Sequence, residues 1–210
     1  MSSKMIITIS RRPGCGGVEI GQRLARRLRA IYIDKKTVSR AAEGLEAVLK
    51  ESEDSGSATK FWQILGQTPI LYDVESYIPE IRSIVSDSPV SDREEEILLD
   101  LAGEGPAVIL GRAGFHRFRD HPGALHFFLG AELEYRLANY MRLYRLKEED
   151  ARELLHATDL ATERYIHKVT GKDMLDLRNY DLAMDVGKID FNQAIEVLLD
   201  YIHARTGEPI

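Results

Sequence analysis

Cysteine is almost missing from this chain. Cys15 is the only one among 210 residues, so no intramolecular disulfide can form. Positive charge is also in short supply: 28 Lys and Arg face 34 Asp and Glu, a formal net charge of -6. That balance argues against a nucleic-acid-binding protein, which needs a basic face. No apolar run approaches the ~18 residues of a membrane span, and the opening MSSKMIITIS carries no apolar signal core. A membrane partner is therefore not expected, and the cytoplasm is the expected compartment. The histidines show neither H-x-x-x-H spacing nor a cysteine partner, so no protein-held metal centre is expected.

What the chain does have is apolar segments in alternation with helical patterns. Met5–Ile9, Ile31–Ile33, Ala107–Leu110, Leu125–Leu129 and Leu182–Asp185 are short, largely unbroken apolar runs, as expected of parallel strands covered on both faces. Between them, Glu19–Leu28 places Ile20, Leu24 and Leu28 on one helical face. Leu133–Leu146, Glu148–Lys168 and Phe191–Ala204 are the other long helical patterns. Strands alternating with helices predict right-handed βαβ units and a three-layer α/β sandwich around a five-stranded parallel sheet. The length fits one domain spanning 1–210. Within it, residues 36–104 read as a mainly helical insertion and 145–172 as a lid-like segment. The polar stretch ESEDSGSAT at 51–59 reads as a loop.

The first strand runs into ISRRPGCGGVEIG at 9–21, and QRLARRL continues it as a helix. Strand, glycine-rich turn and helix is the plan of a phosphate-binding loop. Such a loop works through backbone N–H groups converging on one concavity, and glycines allow both the angles and the close approach. Gly14, Gly16 and Gly17 meet that need, with Cys15 and Val18 completing the candidate cradle. The pattern G-x-x-x-x-G-K-[ST] would place a lysine and a hydroxyl where this chain has Gly17 and Val18. Arg11 and Arg12, just before the turn, are candidates to replace that charge. On the loop alone, a phosphate cradle and an ordinary strand-to-helix turn are equally good readings.

Taken with the rest of the chain, ISRRPGCGGVEIG resembles the I-S-R-E-x-G-S-G-G-R-E-I-G loop of the cytidylate kinase-like family of P-loop proteins. IYIDKK resembles that family's Y-Y-D-K strand end, and AVILGRAG its strand ending in Gly-Arg. FFLGAELEYRLANYM resembles the strand and helix before the lid. KVTGKDMLDLRNYDLAMDVGKID resembles the closing T-G-K…N-Y-D-L segment. The family's loop also has glycine at the lysine position, so Gly17 is no departure. It has an arginine one place later, where this chain has Val18, and an acid where this chain has Arg12.

The resemblance implies a P-loop kinase: ATP and Mg²⁺ as cofactors, and transfer of the γ-phosphoryl to a nucleoside monophosphate, CMP or dCMP among them. It implies that Asp34 and Arg40, six residues apart, and Gly111-Arg112 hold the acceptor, though Asp34 fits a helix cap equally well. Arg136, Arg142 and Arg164 become the cations for transition-state charge, joined by Arg11 or Arg12. Three departures weigh against full activity, the first being Val18 in place of the loop arginine. Ala113 replaces the aspartate of Gly-Arg-Asp, and Thr162 stands where the lid pattern D-x-x-R, beginning here at Asp159, has its arginine. The alternatives are a P-loop protein that binds a nucleotide or phosphorylated ligand with little turnover, or a kinase for a different small acceptor. The partner is a nucleotide or small phosphorylated substrate in each case, and the protein is expected to be a monomer or homodimer.

Overall fold

In the computed structural model, residues 4–42 and 92–207 are described. The loop expected at 51–59 and most of the 36–104 insertion lie outside them. Five strands form one sheet: β1 (Ile6–Arg11), β2 (Ile31–Ile33), β3 (Ala107–Leu110), β4 (Ala124–Gly130) and β5 (Leu182–Asp185). Their order is β2-β3-β1-β4-β5, and every pairing is parallel. Around the sheet lie α1 (Gly17–Arg27), α2 (Asp92–Glu104), the short α3 (Gly114–Arg117), α4 (Leu133–Tyr144), α5 (Glu148–Thr170) and α6 (Phe191–Thr206). Residues 35–42 are also helical.

Both faces of the inner strands are covered, which is why β1 and β3 read as unbroken apolar runs, whereas the edge strand β5 leaves Ala183 and Asp185 exposed. Side chains alternate between the two faces along β1. Ile7 and Ile9 join Ile20 and Leu24 of α1 and Leu198 and Ile202 of α6 in one core. Ile6 joins Ile97, Leu98 and Leu101 of α2 in the other. Gly21 brings α1 close to the sheet, since a methyl there would stand 3.2 Å from the Tyr32 ring. α6 is started by a capping box in which the Asp190 carboxylate accepts from the Gln193 N–H and the Gln193 side chain accepts from the Asp190 N–H. A smaller cluster of Leu137, Tyr140, Ala151 and Leu155 packs α4 against α5.

The central strand, β1, shapes the carboxyl edge of the sheet. It runs two residues beyond its apolar stretch, to Arg11, because Ser10 and Arg11 pair with Phe128 and Leu129 of β4. The chain runs from β1 to β2 at one edge and from the neighbouring β4 to β5 at the other, so two adjacent strands send their connections in opposite directions. Such a switch point leaves a crevice beyond the strands' carboxyl ends, the usual ligand position in open parallel sheets.

Candidate active site

The glycine loop sits at that switch point. Gly14 and Gly16 have φ of 82° and 90°, in the left-handed region that side chains disfavour. Packing excludes a side chain as well: a methyl at Gly14 would come within 2.9 Å of the Arg136 carbonyl, and one at Gly16 within 2.3 Å of the Phe191 ring. Gly16 is the N-cap of α1, so the loop opens directly onto the helix N-terminus, with its unpaired N–H groups.

The loop is held from behind by α4 and α5. Asn139 Nδ2 donates to the Gly14 carbonyl at 2.9 Å, and Arg136 Nη1 donates to the Pro13 carbonyl at 3.2 Å. Arg136 is buried and also meets both Asp159 oxygens, at 2.9 and 3.0 Å. Arg12 reaches the same carboxylate, 2.7 Å from Oδ2, and Glu163 Oε1 at 2.5 Å. One buried acid of α5 thus gathers two arginines and joins loop, α4 and α5. Cys15 lies beneath the loop, fully buried, with its thiol toward the Leu129 carbonyl at 3.6 Å. Burial pushes that thiol up to about 11, so it remains protonated at neutral pH.

A second turn follows β3. Gly111, Arg112 and Ala113 take φ of 72°, 52° and 53°, an unusual run of positive angles for two residues with side chains. α3 then begins, its Gly114 N–H bonded to the Gly111 carbonyl at 2.9 Å. The Arg112 side chain is buried. Its Nη2 donates to Glu94 Oε2 of α2 at 2.9 Å, its guanidinium carbon lies 5.9 Å from the Tyr165 ring centre, and its Nε has no hydrogen-bond partner among the described residues. A buried donor left unpaired calls for an explanation, and a ligand is one.

Both turns open onto one cavity of about 500 Å³. Of the candidate residues, Arg11, Arg12, Gly14, Gly16, Gly17, Val18, Asp34, Gly111, Arg112 and Arg142 line it. Arg40 and Arg164 are exposed and do not line it, and Arg136 stands behind the loop rather than in the cavity. Asp34 is buried and caps the following helix, its Oδ1 accepting from the Thr37 N–H at 2.9 Å and the Thr37 hydroxyl at 3.0 Å. α5 continues unbroken through Thr162, whose hydroxyl donates to the Thr158 carbonyl at 2.8 Å, so no local shift brings Arg164 to the place of the missing lid arginine.

Several residues around the cavity escaped the sequence reading. Lys35 lines it, its pKa lowered by burial and by nearby Arg112, with Glu94 opposing. Adjacency to Asp34 at a strand's carboxyl end was the available signal. Tyr140 lines it too, its hydroxyl pKa raised mainly by burial, which keeps the phenol neutral. Phe191 and Tyr165 give the cavity aromatic walls. Among the described residues no cluster of three His, Cys, Asp or Glu could hold a metal on its own, and no helix is long and apolar enough to cross a membrane.

Comparison with known proteins agrees with this geometry. The sequence profile of the cytidylate kinase-like family matches residues 6–188. No curated protein matches the chain in sequence. Among solved structures, an uncharacterized protein from Eubacterium ventriosum superimposes with a TM-score of 0.62 at 19% identity, covering 96% of this chain and 99% of that one. A shikimate kinase from Bacteroides thetaiotaomicron does so with 0.51 at 14% identity, covering 96% and 99%. A shikimate kinase from Acinetobacter baumannii, in complex with shikimate, gives 0.51 at 13% identity, covering 99% and 97%. Identities this low establish a shared fold.

Proposed function

The chain belongs to the cytidylate kinase-like family, and from that premise we propose that it transfers the γ-phosphoryl group of ATP to a small anionic acceptor, a nucleoside monophosphate. The observation that carries this reading is the meeting of two turns in one cavity. The glycine loop offers backbone N–H groups to the donor phosphates. The Gly111–Arg112 turn offers a buried cation, with Lys35 beside it, to the acceptor. In the reaction an acceptor phosphate oxygen bonds to the γ-phosphorus, the bond from that phosphorus to the β–γ bridging oxygen breaks, and ADP leaves. An ionised acceptor oxygen has no proton to give up, so no protein base is needed. Positioning and cations do the work.

Mg²⁺, bound with the nucleotide, would neutralise charge on the phosphates as it develops. Val18 offers no hydroxyl for it, and among the described residues no carboxylate cluster encloses an ion. Asp34, the buried carboxylate lining the cavity, suits an ion that keeps most of its waters and touches at most one or two protein oxygens. ATP and Mg²⁺ are the proposed cofactors on that basis, and CMP and dCMP are the first acceptors to try.

One observation favours a second reading. Arg12 and Arg136 are both engaged by Asp159, Arg164 faces solvent, and Thr162 carries no charge. A protein with so few disengaged cations would bind nucleotide and turn it over slowly. An ADP-release assay with ATP and Mg²⁺ across CMP, dCMP, UMP, AMP and GMP separates the two, with Arg112→Ala as the control for contaminating kinases. Turnover of one acceptor that disappears in the variant supports the kinase. ATP raising the melting temperature without turnover supports the binding protein.

A further inference from the structure

Position 17, where a loop lysine would stand, is glycine for a steric reason. A methyl built there would lie 3.0 Å from both Cβ and Cγ of Arg11. These are the first atoms of the arginine stem, at the end of β1, so making room means shifting the stem or the strand end rather than a flexible tip. The other end of Arg11 lies at the second turn: its Nη1 is 3.1 Å, and its Cζ 3.9 Å, from where a methyl on Gly111 would be. Arg11 therefore starts over the glycine loop and ends at the Gly111–Arg112 turn, along the cavity that both turns line. No acid among the described residues pairs with it. Its neighbour Arg12, by contrast, is held by Asp159 and Glu163.

We infer that Arg11 is the phosphate-contacting cation of this site, taking the place of a loop lysine from the strand side, with its guanidinium between the donor loop and the acceptor turn. Arg11 and a side chain at position 17 compete for the same space, and this chain fills it with the arginine. A guanidinium there meets the transferring phosphoryl group with a planar fork of donors where lysine brings a single point charge. At Gly111 the φ of 72° favours glycine in its own right, and a methyl there would also crowd the tip of that fork. The inference rests on the kinase reading and deepens it.

The test combines Arg11→Ala, Arg11→Lys, Gly17→Lys and the double variant Arg11→Ala/Gly17→Lys in the full chain. Melting temperatures are read alone, with sodium tripolyphosphate and with ATP, alongside kcat and KM for the best acceptor. Arg11→Ala should keep its unliganded melting temperature within a few degrees and lose the tripolyphosphate shift. It should bind ATP at least ~10-fold more weakly and lose roughly 10²- to 10³-fold in kcat, the usual loss on removing one donor aimed at developing charge. Arg11→Lys should fall between. Gly17→Lys alone should melt below the wild type, and adding Arg11→Ala should restore both the melting temperature and part of the polyphosphate binding. Wild-type binding that Arg11→Ala leaves unchanged overturns the inference and spares the kinase reading. Wild-type protein that responds to neither polyphosphate nor ATP overturns both. A double variant melting no higher than Gly17→Lys overturns the steric exclusion.

Discussion

The two turns at the carboxyl edge of the sheet solve opposite problems. The turn after β1 carries its two positive φ angles on glycines, Gly14 and Gly16, and has no side-chain charge of its own from Pro13 to Val18. The turn after β3 places a glycine first and then forces Arg112 and Ala113 into the same disfavoured region. On the proposed reading, the groups that would face the ligand in the first turn are backbone, and in the second the group offered is a side chain that the strained backbone aims. Each positive angle on a residue with a side chain costs about 1 kcal/mol, so the second turn has to be held by its surroundings: Glu94 on Arg112, and the packing of Ala113 among Phe115, Phe128, Ile166 and Met174.

The largest effect should come from the anchor behind the first turn. Asp159→Ala removes the one carboxylate among the described residues that balances buried Arg136, and one of the two that hold Arg12. Breaking a buried pair by deleting one partner typically costs about 3–5 kcal/mol, because the other charge is left uncompensated. For a chain of this size that corresponds to a melting temperature lower by roughly 10 °C. Chemical denaturation read by circular dichroism checks it. A loss below about 1 kcal/mol would mean that α5 does not hold the loop.

Next is Gly16→Ala, which asks whether backbone geometry alone shapes the first turn. The new methyl would meet the Phe191 ring at 2.3 Å and would sit on a residue with φ of 90°. Strain and overpacking together predict a loss of about 2–4 kcal/mol, with ATP stabilisation abolished. Gly16→Ala/Phe191→Leu should recover part of the stability, since the ring supplies the clash, and little of the ATP response, since the angle remains.

Much of the fold was legible in the sequence, and the site less so. β2, β3 and β5 coincide with the apolar runs that announced them: β3 is buried along its whole length and has nothing polar to offer, while the edge strand β5 packs Leu182 and Met184 on the core and exposes Ala183 and Asp185. β1 overran its run by Ser10 and Arg11, whose strand character comes from pairing with β4, more than 110 residues on. α1 begins at Gly17, two residues before its amphipathic pattern, since glycine gives no helical signal. At the site, the glycine positions follow from backbone chemistry and could be read directly. What could not be read is who holds which charge. Arg12 and Asp159 are 147 residues apart, and only the folded chain shows that one acid engages both Arg12 and Arg136. Family spacing singled out Arg40, whereas Lys35 is the cation that lines the cavity after β2.

Smaller effects test the second turn. Glu94→Gln keeps an acceptor near Arg112 and removes its charge, which predicts a loss of about 1–2 kcal/mol. Its pH signature is more specific. The pKa of Lys35 is already lowered in the folded protein by burial and Arg112, and Glu94 is the group that opposes this. A lysine with a lowered folded pKa binds fewer protons folded than unfolded between the two pKa values, so stability rises with pH through that window. Without Glu94 the folded pKa falls further, and the window widens on its acidic side. Denaturant midpoints should therefore climb more steeply between neutral pH and the ordinary lysine range in Glu94→Gln than in the wild type. Lys35→Met in the same background should flatten the difference.

Ala113→Gly should have the smallest effect, and it sharpens the contrast most. Glycine relieves a φ of 53°, worth about 1 kcal/mol. Against that stand the loss of a fully buried methyl, about 0.8 kcal/mol, and the added freedom of the unfolded chain, about 0.5–1 kcal/mol. The terms nearly cancel, so stability should move by less than about 1 kcal/mol in either direction. Its consequence lies in the aim of Arg112. With glycine next to it the turn has an easier route out of the left-handed region, so acceptor KM should rise several-fold while ATP stabilisation, which depends on the first turn, stays as it was. If the two responses moved together, the turns would be one unit rather than a backbone cradle and a separately aimed cation.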